Sequence, residues 1–213
     1  MNIIIYTDSV NSWFVPYGNK LKKALLEQGH SVKYVYKSQE LYPCDIMFLL
    51  SCTKLLSRKY LQPNKNNIVV HASDLPHGKG FSPMQWQILE GKNQIPITLF
   101  EAVEGVDSGP FYLKDMIEFE GHELLNELRE KMALKIIQMC LRFVNEYGKL
   151  RSQPQIGESS LYKKRMTQDD QLDISKSIAS QFNHFRIAHN ENHPLYFKYL
   201  GHKYYLKIIK ESN

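Results

Sequence analysis

Two apolar strand patterns between residues 67 and 107, each running straight into a polar turn, constrain this chain more than anything else in it. The first reads Asn67-Ile68-Val69-Val70-His71 and turns through Ala72-Ser73-Asp74-Leu75-Pro76-His77-Gly78-Lys79-Gly80. A β-branched run bounded by a Pro and Gly cluster suits a strand buried on both faces of a parallel sheet. His71 then stands at the carboxyl end of a central strand. The second run, residues 97–103, empties into Glu104-Gly105-Val106-Asp107-Ser108-Gly109, whose glycines let the backbone turn tightly, with Asp107 at the tip. Open α/β sheets bind ligands at the carboxyl ends of their strands, so an imidazole and a carboxylate delivered there from two strands form a candidate acid/base pair. Residue type alone does not decide this. A His at a strand end is commonly a hydrogen-bonded structural residue, and Asp before Ser-Gly is an ordinary turn former.

The flanking patterns extend the same architecture. Ile3 to Tyr6 reads as a buried strand, the spacing of Leu21, Ala24, Leu25 and Leu26 predicts an amphipathic helix that stops at Gly29, and Val32 to Tyr36 predicts a second strand. This βαβ beginning lacks a Gly-x-Gly-x-x-Gly turn, which argues against a dinucleotide site of the usual kind. Residues 45–52 read as a third strand buried on both faces, and residues 83–89 as a helix that packs Trp86 into the core and ends at Gly91. Beyond the Asp107 turn come a strand at 111–119 and a long amphipathic helix at 122–147, whose stripe includes Leu128, Leu134, Ile136, Cys140 and Val144. The polar stretch 151–160, with Pro154 and Gly157, reads as a linker, followed by a helix at 175–186 and a terminal hairpin strand at 201–208. The expectation is an α/β chain with two parts. Residues 1–150 form a mostly parallel sheet with flanking helices, and residues 151–213 form a small α+β extension.

A chain of 213 residues with 43% hydrophobic composition can build a proper core. Its net charge of +5 is spread along the chain rather than gathered in a run, which fits a small anionic substrate better than a nucleic acid. Cys44, Cys52 and Cys140 are widely spaced in apolar segments and suggest neither a disulfide framework nor a zinc site. No stretch resembles a signal peptide or a membrane span. These features predict a cytoplasmic protein that binds no membrane and needs no metal.

The stretch His71-Ala72-Ser73-Asp74-Leu75-Pro76, then Gly80, Pro83, Trp86 and Gly91, then Thr98 and Gly105-Val106-Asp107-Ser108-Gly109, resembles the core signature of the folate-dependent formyltransferases. One position departs: Val69 stands where the family carries an Asn two residues before the His, so one of three usual catalytic side chains is missing. Val-Val-His, Ser-Asp-Leu-Pro and Gly-Lys-Gly resemble a subgroup of small sugar N-formyltransferases associated with bacterial pseudaminic-acid pathways. The resemblance implies a Rossmann-like formyltransferase core and 10-formyltetrahydrofolate as co-substrate. It implies His71 and Asp107 as catalytic residues, with Phe48, Leu49, Leu50, Val103 and Gly105 on the cofactor side. Ser73, Lys79 and Gly80 fall on a loop similar to the family's substrate-binding loop, where the Lys79 ammonium could meet a phosphate. Residues 162–173 are similar to a run that follows the catalytic domain in this superfamily, which brings in Arg165. The tail 190–197 resembles an Asn-x-x-Tyr-Pro-x-Phe stretch of sugar formyltransferases, which brings in Asn190 and Tyr196.

The implied reaction moves a formyl group to the primary amine of a nucleotide-linked 4-amino-4,6-dideoxy sugar, with a UDP-sugar favoured. It needs a donor to the developing oxyanion and a base for the amine proton, roles that fall to His71 and Asp107. About sixty residues after the linker are too few to resemble the larger carboxyl-terminal barrel of methionyl-tRNA formyltransferase. The rival readings are formylation of another amine, on tRNA or a purine precursor, and a non-catalytic binder of folate or nucleotide sugar. Hydrophobic positions on the last strands could support a homodimer.

Overall fold

Apolar runs near the amino terminus pair with one another, and the rest of the sheet lies to one side of them. The computed structural model describes residues 1–211. Its strands and helices are β1 (Asn2–Tyr6), α1 (Val15–Glu27), β2 (Ser31–Val35), β3 (Ile46–Leu49), α2 (Arg58–Leu61), β4 (Asn66–His71), β5 (Lys79–Gly80), α3 (Pro83–Leu89), β6 (Gln94–Glu101), β7 (Phe111–Glu118), α4 (Leu125–Asn145), β8 (Leu161–Tyr162), α5 (Phe182–Ile187), β9 (Leu195–Tyr199) and β10 (His202–Leu206). Six strands form one sheet in the order β2-β1-β3-β4-β6-β7. The first four are parallel, as an α/β chain requires. Among the described residues no helix is long and apolar enough to cross a membrane.

The second key strand runs the other way. β6 lies antiparallel to β4, with Ile68 opposite Glu101 and His71 opposite Thr98, and β7 is antiparallel to β6. A parallel return needs a crossover as long as the strand. The six residues of β4 span roughly 20 Å, whereas the seven-residue helix α3 covers only about 10 Å. The chain therefore re-enters the sheet at the same end it left, beside His71.

Alternation along each strand sorts the apolar side chains into two layers. Ile3, Ile5, Ile46, Phe48 and Ile68 face α1 and α4, where they meet Leu21, Leu25, Ile136, Cys140 and Phe143. Ile4, Tyr6, Met47 and Leu49 face the other way, beside Cys52, Leu56, Leu61, Val69 and Ala102. On α4 the buried stripe includes Leu128, Ile136, Cys140 and Val144, while Leu134, predicted within it, is half-exposed. Each large apolar side chain buried on this helix stabilises by about 1.5–3 kcal/mol.

The segment predicted as a linker is instead hydrogen-bonded to the sheet end. Gln153 and Phe111 exchange two backbone bonds of 2.8 Å, Lys79 N donates to Ser160 O at 3.0 Å, and β8 pairs with β5. A separate small core begins only at Leu172, with Ala188, Leu195, Phe185, Phe197 and Leu206 under the β9–β10 hairpin. The helix expected over 175–186 shrinks to α5, preceded by a 3₁₀ turn at Ala179–Gln181. Local bonds explain the loss. Asp173 Oδ1 accepts from Ser175 N and Oγ, and Gln181 Nε2 donates to Asp173 O, so these side chains satisfy the backbone groups a helix would have used.

Candidate active site

His71 is the last residue of β4, and its imidazole shares a face of the sheet with Val69. Its Nε2 lies 2.8 Å from the carbonyl oxygen of Gly78. A carbonyl can only accept, so Nε2 carries a proton. Among the described residues no hydrogen bond engages Nδ1. The turn that follows is pinned from two sides: Thr98 Oγ1 donates to Ser73 O and Gln87 Nε2 to Ala72 O, each at 2.7 Å.

Asp107 reaches the same place by a different route. Because β6 is antiparallel, its carboxyl end lies beside Asn67, where Ala102 N donates to Asn67 O at 2.7 Å. The loop 102–110 then climbs back along β4 toward His71. This corrects the expectation that two strands deliver the pair from their carboxyl ends. Asp107 itself has a φ of 47°, in the left-handed region that Asp tolerates better than most residues. Its Oδ2 accepts from Gly80 N at 2.8 Å and stands 3.7 Å from His71 Nε2. The two side chains are 10% and 16% exposed, so the pair is screened from bulk water yet reachable.

Glu101 clasps the roots of both segments. Its carboxylate accepts from Asn67 N, from Asn66 Nδ2 at 2.9 Å and from Tyr112 OH at 3.1 Å. Burial pushes this carboxyl up despite those donors.

The turn and the loop are also held by the 151–162 segment, which the sequence pattern did not single out. Gln155 Nε2 donates to Asp107 O at 2.9 Å and to Gly109 O at 2.7 Å. Ser160 Oγ accepts from Gly78 N at 2.8 Å. Nothing in a polar stretch containing Pro and Gly distinguishes such residues from those of a free connection.

The other site residues expected from sequence divide clearly. Leu49, opposite Val69 in the sheet, is on the His71 face. Phe48 and Leu50 are not. Alternation puts both in the layer under α4, fully buried, which corrects their reading as pocket walls. Val103 and Gly105 lie on the Asp107 loop and are exposed. Ser73 is buried with its Oγ unpartnered, and it lines a 390 Å³ cavity together with Gly78, Ser160 and Tyr162. Lys79 is half-buried and its ammonium meets no carboxylate among the described residues. Gly80, at φ 93°, gives its N–H to Asp107, and a Cβ there would lie 2.5 Å from Tyr162 O.

Three expectations are corrected. Arg165 is buried against Asp170, so its guanidinium is committed to that ion pair rather than displayed to a phosphate. Asn190 brackets the Ile208 backbone with bonds of 2.7 and 3.0 Å. Tyr196 is buried, with its hydroxyl on Gln171 at 3.0 Å. All three are internal pins of the carboxyl-terminal unit. A cluster of Glu120, His122 and Glu123 offers metal-ligand atoms within 4.8 Å of one another, but lysines fill it: Lys131 Nζ is 2.7 Å from Glu123 and Lys210 Nζ 2.9 Å from His122.

Comparison with known proteins bears on the fold and the family. The methionyl-tRNA formyltransferase of Thermosipho melanesiensis is 33% identical over 142 residues, which are 67% of this chain and 46% of that one. This chain thus spans about half the length of the curated relatives it matches. Among solved structures, methionyl-tRNA formyltransferase from Clostridium thermocellum superposes with a TM-score of 0.81 at 20% identity, over 95% of this chain and 90% of that one. A 4-N formyltransferase from Francisella tularensis superposes at 0.76 and 14% identity, over 100% and 98%. These two likenesses establish the fold. The formyl transferase family model matches residues 20–142, a span that includes β4, the His71 turn and the Asp107 loop. With more than half its length matched, the chain belongs to the formyl transferase family.

Proposed function

We propose that this protein transfers a formyl group from 10-formyltetrahydrofolate to a primary amine, and that the amine belongs to a nucleotide-linked amino sugar. The observation that carries the first part is the His71–Asp107 pair, 3.7 Å apart and bracketed by backbone groups of Gly78 and Gly80. The co-substrate fits the lining. Leu49, Val69, Ala102, Cys52 and Leu56 make a partly covered apolar floor on the His71 face, suited to a flat ring system. When bound, the folate would supply the formyl carbon to the attacking amine and leave as tetrahydrofolate, the formyl–N10 bond breaking as the new C–N bond is completed.

The chain's own groups divide the proton work. With Nε2 directed at Gly78 O, the oxygen that gains negative charge is served from Nδ1, so His71 acts as the imidazolium, and Asp107 supplies the countercharge beside Nε2. Asp107 Oδ1, which no hydrogen bond engages among the described residues, takes the amine proton. Val69 leaves a gap in this machinery. Asn67 shares its face, but that amide is spent on Leu61 O and on Asn64. Among the described residues no side-chain amide stands in for the family's Asn, so His71 carries the oxyanion with help from backbone or water.

The sugar reading is supported by the Ser73 cavity beside the His71 turn, with Lys79 on the same turn for a phosphate. A second reading, formylation of an aminoacyl-tRNA, is favoured by the identity to methionyl-tRNA formyltransferases. Mass spectrometry of purified protein with 10-formyltetrahydrofolate and a panel of UDP- and dTDP-amino sugars tests both. One added formyl group on a panel member is the expected result. Formylation of methionyl-tRNA with every sugar unmodified would replace the sugar reading, and no transfer to either would leave a binding protein.

A further inference from the structure

We infer that residues 153–160 form a strap that positions the catalytic pair, with Gln155 as the residue that fixes Asp107. This inference deepens the formyl-transfer reading and rests on it for its kinetic consequence. Two separate contacts define the strap. Gln155 gives both hydrogens of its amide to the loop, one to Asp107 O and one to Gly109 O, so it grips the Asp107–Ser108 and Gly109–Pro110 peptides. Ser160 accepts from Gly78 N, and the Gly78 carbonyl on the same turn is the group that holds His71 Nε2. One segment thus sets both members of the pair.

The Gln155 amide has only one workable orientation. Its Oε1 is buried and has no hydrogen-bond partner among the described residues, and turning the amide over would place that oxygen against two carbonyls. The loop needs such a grip. Asp107 holds a positive φ, and its Oδ2 depends on a single bond from Gly80 N. The strap is anchored independently of Gln155 by the Gln153–Phe111 backbone pair and by β8 on β5, so truncating the side chain leaves the backbone path in place.

The test compares Gln155→Ala and Ser160→Ala with the wild-type protein. Gln155→Ala is expected to lower kcat about tenfold or more while KM for both substrates stays within about twofold, because misplaced catalytic groups reduce turnover rather than binding. Gln155→Glu should be worse than Ala at neutral pH, since a carboxylate would face the two carbonyls, and should recover toward Ala as the pH falls and the new carboxyl gains a donor hydrogen. Ser160→Ala should show a smaller loss, because the Lys79 N bond to Ser160 O remains. A second readout needs no turnover. The His71 ring signals, followed by NMR and assigned by their loss in His71→Asn, should move in Gln155→Ala toward the positions they take in Asp107→Asn, because the carboxylate stands 3.7 Å from the ring. Unchanged ring signals in a folded Gln155→Ala protein overturn the strap. Absence of formyl transfer by the wild-type protein would count against the functional reading, while the ring signals still judge the strap.

Discussion

His71 and Asp107 meet at one site, but the fold holds them by opposite means. His71 is placed by a strand: β4 is hydrogen-bonded to β3 on one side and β6 on the other, and its imidazole position follows from the pleat. Asp107 is placed by a loop that leaves the sheet at the wrong end, doubles back, and ends in a left-handed turn. A strand-borne group needs little help beyond its ladder. A loop-borne group must be fixed by contacts from elsewhere, here Gly80 N–H and the Gln155 amide.

Removing either group outright should have the largest effect. His71→Ala and Asp107→Asn are each expected to lower kcat by about 100-fold to 10,000-fold with the fold intact, as loss of an oyxanion donor or general base does. Formylation assays on proteins with wild-type circular dichroism would check this, and near wild-type turnover in either variant would remove that residue from the mechanism.

The next pair of variants separates strand from loop. A Cβ on Gly109 would lie 1.7 Å from Glu101 O, so Gly109→Ala must shift the loop exit, and a shift of about 1 Å at a catalytic group costs roughly 100-fold in rate. Val70, next to His71 and packed against the core under α1 and α4, makes the matching strand variant. Val70→Ala should cost roughly 1–3 kcal/mol in urea denaturation yet leave kcat within about threefold. If the two losses were equal in kcat, the contrast between ladder and props would collapse.

Thr98→Val sharpens the comparison on the His71 side. It keeps the shape of the strand but leaves the Ser73 carbonyl without its partner, for an expected cost of about 1–2 kcal/mol. Because the ladder itself stays whole, turnover should fall only a few-fold.

The smallest effect on catalysis is expected from a charge remote from both groups. Burial alone would raise the Glu123 carboxyl, but Lys131 and the N–H groups of Glu120 and Gly121 outweigh it and hold it at about 2, below the ordinary 4.5. Glu123 also meets the buried Arg186 of α5 at 3.3 Å, which ties the carboxyl-terminal unit to the start of α4. A depressed carboxyl stabilises the fold above its unfolded value, so about 3 kcal/mol present above pH 4.5 is lost as the pH falls toward 2. Melting curves from pH 6 to pH 2.5 should show that slope, and Glu123→Gln should flatten it with kcat at pH 7 nearly unchanged. A steep acid slope retained in Glu123→Gln would assign it to other carboxylates.

Much of this was legible in the residues themselves. Continuous apolar runs define β1, β3 and β4, a wide apolar stripe defines α4, and the turns after residues 71 and 103 mark where polar chemistry collects, because runs and stripes of this kind report burial directly. His71 and Asp107 could be singled out for that reason. Spacing says nothing of direction, so it could not show that β6 runs antiparallel, which depends on how far α3 reaches. It could not show which face Phe48 and Leu49 take, because a strand buried on both sides has no polar face to read. Nor could it show that Arg165, Asn190 and Tyr196 are spent on internal partners, or that Gln155 crosses 48 positions of sequence to hold Asp107. Hydrogen bonds between distant segments exist only once the chain has packed, and in this protein they decide whether a carboxylate on a loop becomes half of the proposed catalytic pair.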